Sequence, residues 1–237
     1  MWYVVVFSSL AALTSLVGGV ILTLPKNYKK IAKYAAAFAA GALLAAVGLD
    51  LLPHIGHDNG HLPYFLMVGG VLIFFFLELI LNHAGKKKHV AALVVISDTV
   101  HNVVDGIVIA AGFLVSVPSG IAVTLAVMAH EIPQEIGDFG LMMHHGMSRK
   151  RTIIINIASA LATIMAAIVF FAIGSQGELE TTYMMGLASG FFLYLALHAM
   201  QEIYHSGNKK TIWIKAGFLL LGLVMVGLAI ELLKYGH

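Results

Sequence analysis

The sequence predicts an all-α fold, a polytopic membrane bundle of eight transmembrane helices with both termini extracytoplasmic. Three observations carry that expectation. The chain has 237 residues of which 59% are hydrophobic and only 11% charged, with a mean hydropathy of +0.91; a soluble domain carries about 25% charged residues. Apolar stretches recur at lengths near the roughly 20 residues that a helix needs to cross a bilayer. The basic residues alternate between loops: present in one, absent from the next.

The spans run over residues 2–24, 33–55, 62–82, 90–115, 119–145, 152–174, 181–205 and 212–234. The first lacks a basic leader region and is long enough to span, so it reads as a membrane helix and not as a signal peptide. The strict apolar/polar alternation of a β-barrel is absent. Spans four, five and seven carry ionisable groups at mid-span, which lowers their hydropathy without shortening them. Nothing resembles a soluble domain or a long linker, so residues 1–237 form one transmembrane domain. Lys26, Lys29, Lys30 and Lys33 flank the first turn, Lys86, Lys87 and Lys88 the third, Arg149, Lys150 and Arg151 the fifth, and Lys209, Lys210 and Lys215 the seventh. Of the 14 basic residues only Lys234 lies elsewhere. By the positive-inside rule that face is cytoplasmic.

A net charge of +2, with no basic stripe, excludes nucleic acid as a partner. With zero cysteines there is no disulfide and no thiolate metal site. The chain nevertheless holds 12 histidines, and several lie with carboxylates inside the spans. In the fourth span, Asp98, His101, Asn102 and Asp105 fall within about 100° of one helix face; in the fifth, His130, Glu131, Gln134, Glu135 and Asp138 fall within about 140°. A short turn, VSVPSG, joins the two spans and makes them antiparallel neighbours. Counted from Pro118, Asp105 and Glu131 are each 13 residues away, and His101 and Glu135 each 17. That predicts two matched layers roughly 20–25 Å from the outer turn. A charged side chain at such depth costs about 2.5–3.5 kcal/mol on insertion scales, so these groups face a protein interior or water. Pro133 deprives the Ala129 carbonyl of its helical partner, and Gly106 and Gly137 allow close helix approach or bending. Imidazole and carboxylate without thiolate suit Zn²⁺, Fe²⁺, Mn²⁺ or Co²⁺ as a transported substrate.

Other spans add candidates along a path. Asp50 and His54 stand at i, i+4 near the outer end of span two, as an entrance, with His57, Asp58 and His61 in the loop beyond. Glu78 in span three and His198, Glu202 and His205 in span seven stand toward the cytoplasm, as an exit. His83, His89, His144 and His145 lie on the cytoplasmic face, and Met128, Met142 and Met143 beside the fifth-span cluster read as packing.

HNVVDG followed by HEIPQEIGDF resembles the paired signatures of the ZIP (Zrt-, Irt-like protein) family of divalent metal transporters, and eight spans with a basic loop after the third match as well. The resemblance implies a metal centre between the fourth and fifth helices, often with two adjacent ions. His101, His130 and Gln134 would line the first ion position, Asn102 and Glu131 the second, with Asp105 bridging; Glu135 and Asp138 belong to the motif. Gln134 stands where His or Glu is commoner. The function implied is import of divalent metal, zinc first, with no enzymatic activity and no catalytic cofactor. The setting expected is the plasma (inner) membrane of a prokaryote. The lipid bilayer is the surrounding partner, and the small-residue face AAAFAAGALLAAVG leaves a homodimer open. An alternative is a proton or other cation transporter that uses the same residues. A remote one is an intramembrane metalloprotease, since HEIPQ begins like His-Glu-x-x-His but lacks the second His.

Overall fold

The computed structural model describes residues 1–21, 28–56, 60–84, 90–144, 146–177, 181–204 and 208–235. Among them are eight long helices and no strand. We number them α1 (Trp2–Ile21), α2, α3 (Leu62–Ala84), α4 (Val90–Val115), α5 (Val117–His144), α6 (Arg149–Gly174), α7 (Thr181–Tyr204) and α8 (Lys209–Tyr235). Helix α2 is interrupted: it runs Tyr28–Ala45, widens into a π-helical segment over Ala46–Leu51 and resumes as Leu52–Gly56. Asp50 sits in that segment, and π-bulges inside α-helices commonly mark functional positions.

The fold is the all-helical membrane bundle that the hydropathy requires. Among the described residues seven segments, not eight, are long and apolar enough to cross a membrane. The exception is α5, which has 28 residues and ample length. It falls short because His130, Glu131, Gln134, Glu135 and Asp138 displace apolar residues in its C-terminal half. Large exposed apolar side chains such as Phe65, Leu72 and Phe76 on α3, Leu161 and Met165 on α6, and Leu220 and Leu228 on α8 cover the outside, as lipid contact demands.

Two sets of helices emerge from the packing. Helix α4 packs most extensively on α6, and α1 packs on both α5 and α6. Separately, α2 packs on α8 and α3 on α7. Small residues make these contacts close: a Cβ at Gly106 of α4 would strike the Thr163 carbonyl of α6, and one at Gly190 of α7 would strike the Met67 carbonyl of α3. Gly137, by contrast, faces open space. The two sets meet chiefly where α2 lies along α5. Ala42 and Ala45 of α2 cluster there with Ala122 of α5 and with Val226 and Ile230 of α8.

The reversal between α4 and α5 is tighter than VSVPSG implied. Only Ser116 is non-helical, and its side chain accepts a hydrogen bond from the Ser119 backbone N–H at 3.1 Å, as an N-cap does. Pro118 falls in the first turn of α5, where its missing N–H leaves no gap. The pivot is therefore Ser116, two residues before the Pro118 used as origin above, and the facing register shifts by four residues, one helical turn. His101 now lies level with Glu131, each 15 residues from the pivot, while Glu135 moves one turn inward.

Candidate metal centre

Four side chains converge at mid-bundle. Each of His101, Asp105, His130 and Glu131 offers one ligand atom within 4.8 Å of the others, and all four residues are buried. His101 Nε2 and His130 Nε2 are 3.0 Å apart. Asp105 Oδ2 is 3.1 Å from His130 Nε2, and Asp105 Oδ1 is 3.7 Å from His101 Nε2. Glu131 Oε1 stands 4.0 Å from His130 Nε2. Position i, i+4 on α4 supplies His101 and Asp105; consecutive positions on α5 supply His130 and Glu131.

Hydrogen bonds fix which lone pairs face inward. His130 Nδ1 lies 3.2 Å from the Ala126 carbonyl one turn earlier, so Nδ1 carries the proton and Nε2 presents a lone pair, the usual way a helix orients a metal-binding imidazole. That lone pair meets Asp105 Oδ2, which has no hydrogen-bond donor, as neither Glu131 Oε1 nor Oε2 has. An unpartnered buried polar atom costs about 1–3 kcal/mol. His101 Nε2 stands at hydrogen-bond distance from that same His130 nitrogen, sharing a proton that a cation would displace, and the mixed N/O set fits a tetrahedral Zn²⁺. Phe74 of α3 packs edge-on to His101 at a centroid distance of 5.8 Å, and Phe192 of α7 to His130 at 6.1 Å. The neighbouring helix set thus shields the centre with aromatic rings.

The other expected residues stand around this quartet. Asn102 is buried, but its amide is engaged on the α6 side. It donates to Asp98 Oδ1 at 2.9 Å and to Ser159 Oγ at 3.2 Å, and its oxygen accepts from Thr163 Oγ1 at 2.7 Å. Glu135 is fully buried one turn inward and accepts hydrogen bonds from Ser15 of α1 and Asn156 of α6. Gln134 and Asp138 are half-buried on α5. Near the α4–α5 turn, Asp50 accepts from Ser119 Oγ at 2.5 Å, and His54 Nδ1 lies 2.6 Å from the Asp50 carbonyl and 3.8 Å from its carboxylate. Toward the other end, Tyr194 donates to Glu78, and His198 Nδ1 lies 3.6 Å from that carboxylate. The side chain of Glu202 lies outside the described residues, as do His57, Asp58, His89, His145 and His205.

Sequence reasoning passed over Ser15, Asn156, Ser159 and Thr163. The signal was present in α6: Thr152, Asn156, Ser159 and Thr163 recur at i, i+4, i+7 and i+11 and are all buried. Hydroxyls in apolar helices so often bond their own backbone that such a stripe draws no notice.

Residues 82–229 match the family described as ZIP zinc transporter. Zinc transporter ZIP4 of Mus musculus is 38% identical over 122 residues, which are 52% of this chain and 18% of that protein. Zinc transporter ZIP10 of Danio rerio is 34% identical over 122 residues, 51% of this chain and 14% of that protein. Zinc transporter foi of Drosophila melanogaster is 32% identical over 121 residues, 51% of this chain and 17% of that protein. The chain spans less than a fifth of the length of these relatives. All three are animal proteins, and they lend no support to the expected prokaryotic setting.

Proposed function

Because the chain belongs to the ZIP zinc transporter family, we propose that it moves divalent transition-metal ions, zinc foremost, across the cell-surface membrane into the cytoplasm through the His101–Asp105–His130–Glu131 centre. The family is one of metal transporters and not of enzymes. The observation that supports the reading is the convergence of two imidazoles and two carboxylates, with Asp105 Oδ2 and both Glu131 oxygens unpartnered, at one buried point. Iron, manganese and cobalt accept the same donors and compete with zinc.

Every ligand of the centre belongs to the helix set α1, α4, α5 and α6. The set α2, α3, α7 and α8 supplies Phe74 and Phe192 beside it. In the mechanism supported by this division, the first set carries the bound ion and shifts against the second along the α2–α5 seam, where alanines offer little to unlock. Asp50 and His54 lie on the entrance side; Glu78, Tyr194 and His198 line the exit. The loop charges orient the exit toward the cytoplasm. No GxxxxGK[ST] loop occurs, so an ion gradient and not ATP drives transport.

Uptake of ⁶⁵Zn²⁺ into vesicles holding the purified protein tests the reading. His101→Ala and Glu131→Ala are expected to abolish uptake while the protein remains inserted. Normal uptake by both variants refutes the site, and transport that persists under chelation favours a proton or other cation as cargo.

A further inference from the structure

One buried carboxyl group in α5, that of Glu135, lies outside the quartet of His101, Asp105, His130 and Glu131. Glu135 is 0% exposed and lies one turn inward from Glu131, yet both its oxygens are taken. Ser15 Oγ of α1 donates to Oε1 at 2.5 Å, and Asn156 Nδ2 of α6 donates to Oε2. Ser15 and Asn156 are themselves fully buried. The backbone of α1 is shaped to allow this. A Cβ at Gly18 would lie 3.1 Å from the Ile132 backbone, and one at Gly19 would lie 3.5 Å from Glu135 Oε2 and 3.0 Å from Phe139. The paired glycines let α1 approach α5 closely enough for the short serine side chain to reach the carboxylate. Helix α4 is tied to the same α6 by Asn102, through Ser159 and Thr163.

We infer that Glu135 is a positioning residue, a clamp that makes α1, α5 and α6 one body with the ligand-bearing face, and not a ligand of the transported ion. A clamp needs two hydrogen-bond partners and no charge. Gln at 135 preserves both bonds: its Oε1 accepts from Asn156 Nδ2, and its Nε2 donates to Ser15 Oγ. Ala preserves neither.

The chain has no cysteine, so labels can be placed singly. Leu13→Cys on α1 and Ile157→Cys on α6, both at exposed positions, take spin labels on two helices of the clamped body. In the otherwise unchanged protein and in Glu135→Gln, the pulsed spin–spin distance distribution should be one narrow peak, with zinc uptake within about twofold of the parent. In Glu135→Ala, and in Ser15→Ala combined with Asn156→Ala, the peak should broaden and uptake fall about tenfold or more, the size typical of lost supporting contacts around a metal site. The double variant keeps the carboxylate, so its loss of activity cannot come from a missing charge. Glu135→Gln as inactive as Glu135→Ala with a narrow peak overturns the clamp in favour of ligation or charge transfer. A narrow peak with full uptake in Glu135→Ala and in the double variant overturns it as well. The uptake arm rests on the transport reading above and the distance arm does not. Vesicles that take up no divalent metal while the distance results hold leave the clamp standing and sink the transport reading.

Discussion

The two helix sets bury different chemistry. In α1, α4, α5 and α6 the buried polar residues include the whole candidate quartet together with Ser15, Asn102, Glu135, Asn156, Ser159 and Thr163; outside that set, among the described residues, only Asp50, Ser189 and Lys215 are both polar and buried. The first set is joined by side-chain hydrogen bonds from helix to helix. The second relies more on backbone approach at glycines, as at Gly70 against Gly190 and Gly222 against Phe38, with Tyr194 of α7 also donating to Glu78 of α3. Within a membrane both are sound ways to associate helices. They differ in what they specify: hydrogen bonds fix rotation and register, as a metal site requires, whereas apolar contacts tolerate sliding. The seam between α2 and α5 is of the second kind, lined by Ala42, Ala45 and Ala122. Among the described residues a side-chain hydrogen bond crosses it from Ser119 to Asp50, near the α4–α5 turn.

That contrast can be broken at several points. The largest effect belongs to His130→Ala, which removes a ligand and leaves Asp105 and Glu131 facing each other; uptake should fall about 100-fold or more, measured in vesicles with the insertion level controlled. Next, Ala122→Leu places bulk in the seam. It should leave Zn²⁺ affinity of the detergent-solubilised protein unchanged while slowing uptake about tenfold or more, as overpacking a close contact does. Loss of affinity with normal turnover would reverse the roles given to the two regions. Third, Thr163→Val removes one hydrogen bond to Asn102, and should lower stability by about 1 kcal/mol, read as a lower unfolding midpoint. At the small end, Gly137→Leu adds an apolar side chain on a face with nothing near it, and should change neither uptake nor stability.

Acidity probes the polar set through its metal ligands. The ion binds neutral imidazole and ionised carboxylate, so protons compete with it. Lowering the pH should therefore raise the apparent KM for zinc. Asn102→Ala, outside the quartet, should keep that slope.

Much of this was legible in the sequence because the constraints were strong. Hydropathy and loop charge gave the span count and the helix ends, and failed the length-and-composition threshold only at α5, where the site itself dilutes the apolar signal. The i, i+4 spacing of His101 and Asp105, and the adjacency of His130 and Glu131, marked the centre. What one sequence could not supply was the exact pivot. An origin at Pro118 paired His101 with Glu135; the N-cap at Ser116 pairs it with Glu131 and His130 instead. Two residues of turn geometry thus decide whether Glu135 lies level with His101 or one turn beyond it, against α1 and α6. Contacts between distant segments were silent for another reason: nothing local in Ser15 tells that Gly18 and Gly19 bring it against α5, 120 residues away in the chain.

The central claim is that two imidazoles and two carboxylates from α4 and α5 hold the ion together. Zinc K-edge X-ray absorption of the purified, zinc-loaded protein addresses it most directly. The account predicts a four-coordinate N/O shell at about 2.0–2.1 Å, with the outer-ring scattering of two imidazoles that drops to one in His101→Ala or His130→Ala. A bound zinc without imidazole scattering, or a spectrum unchanged by both variants, contradicts it.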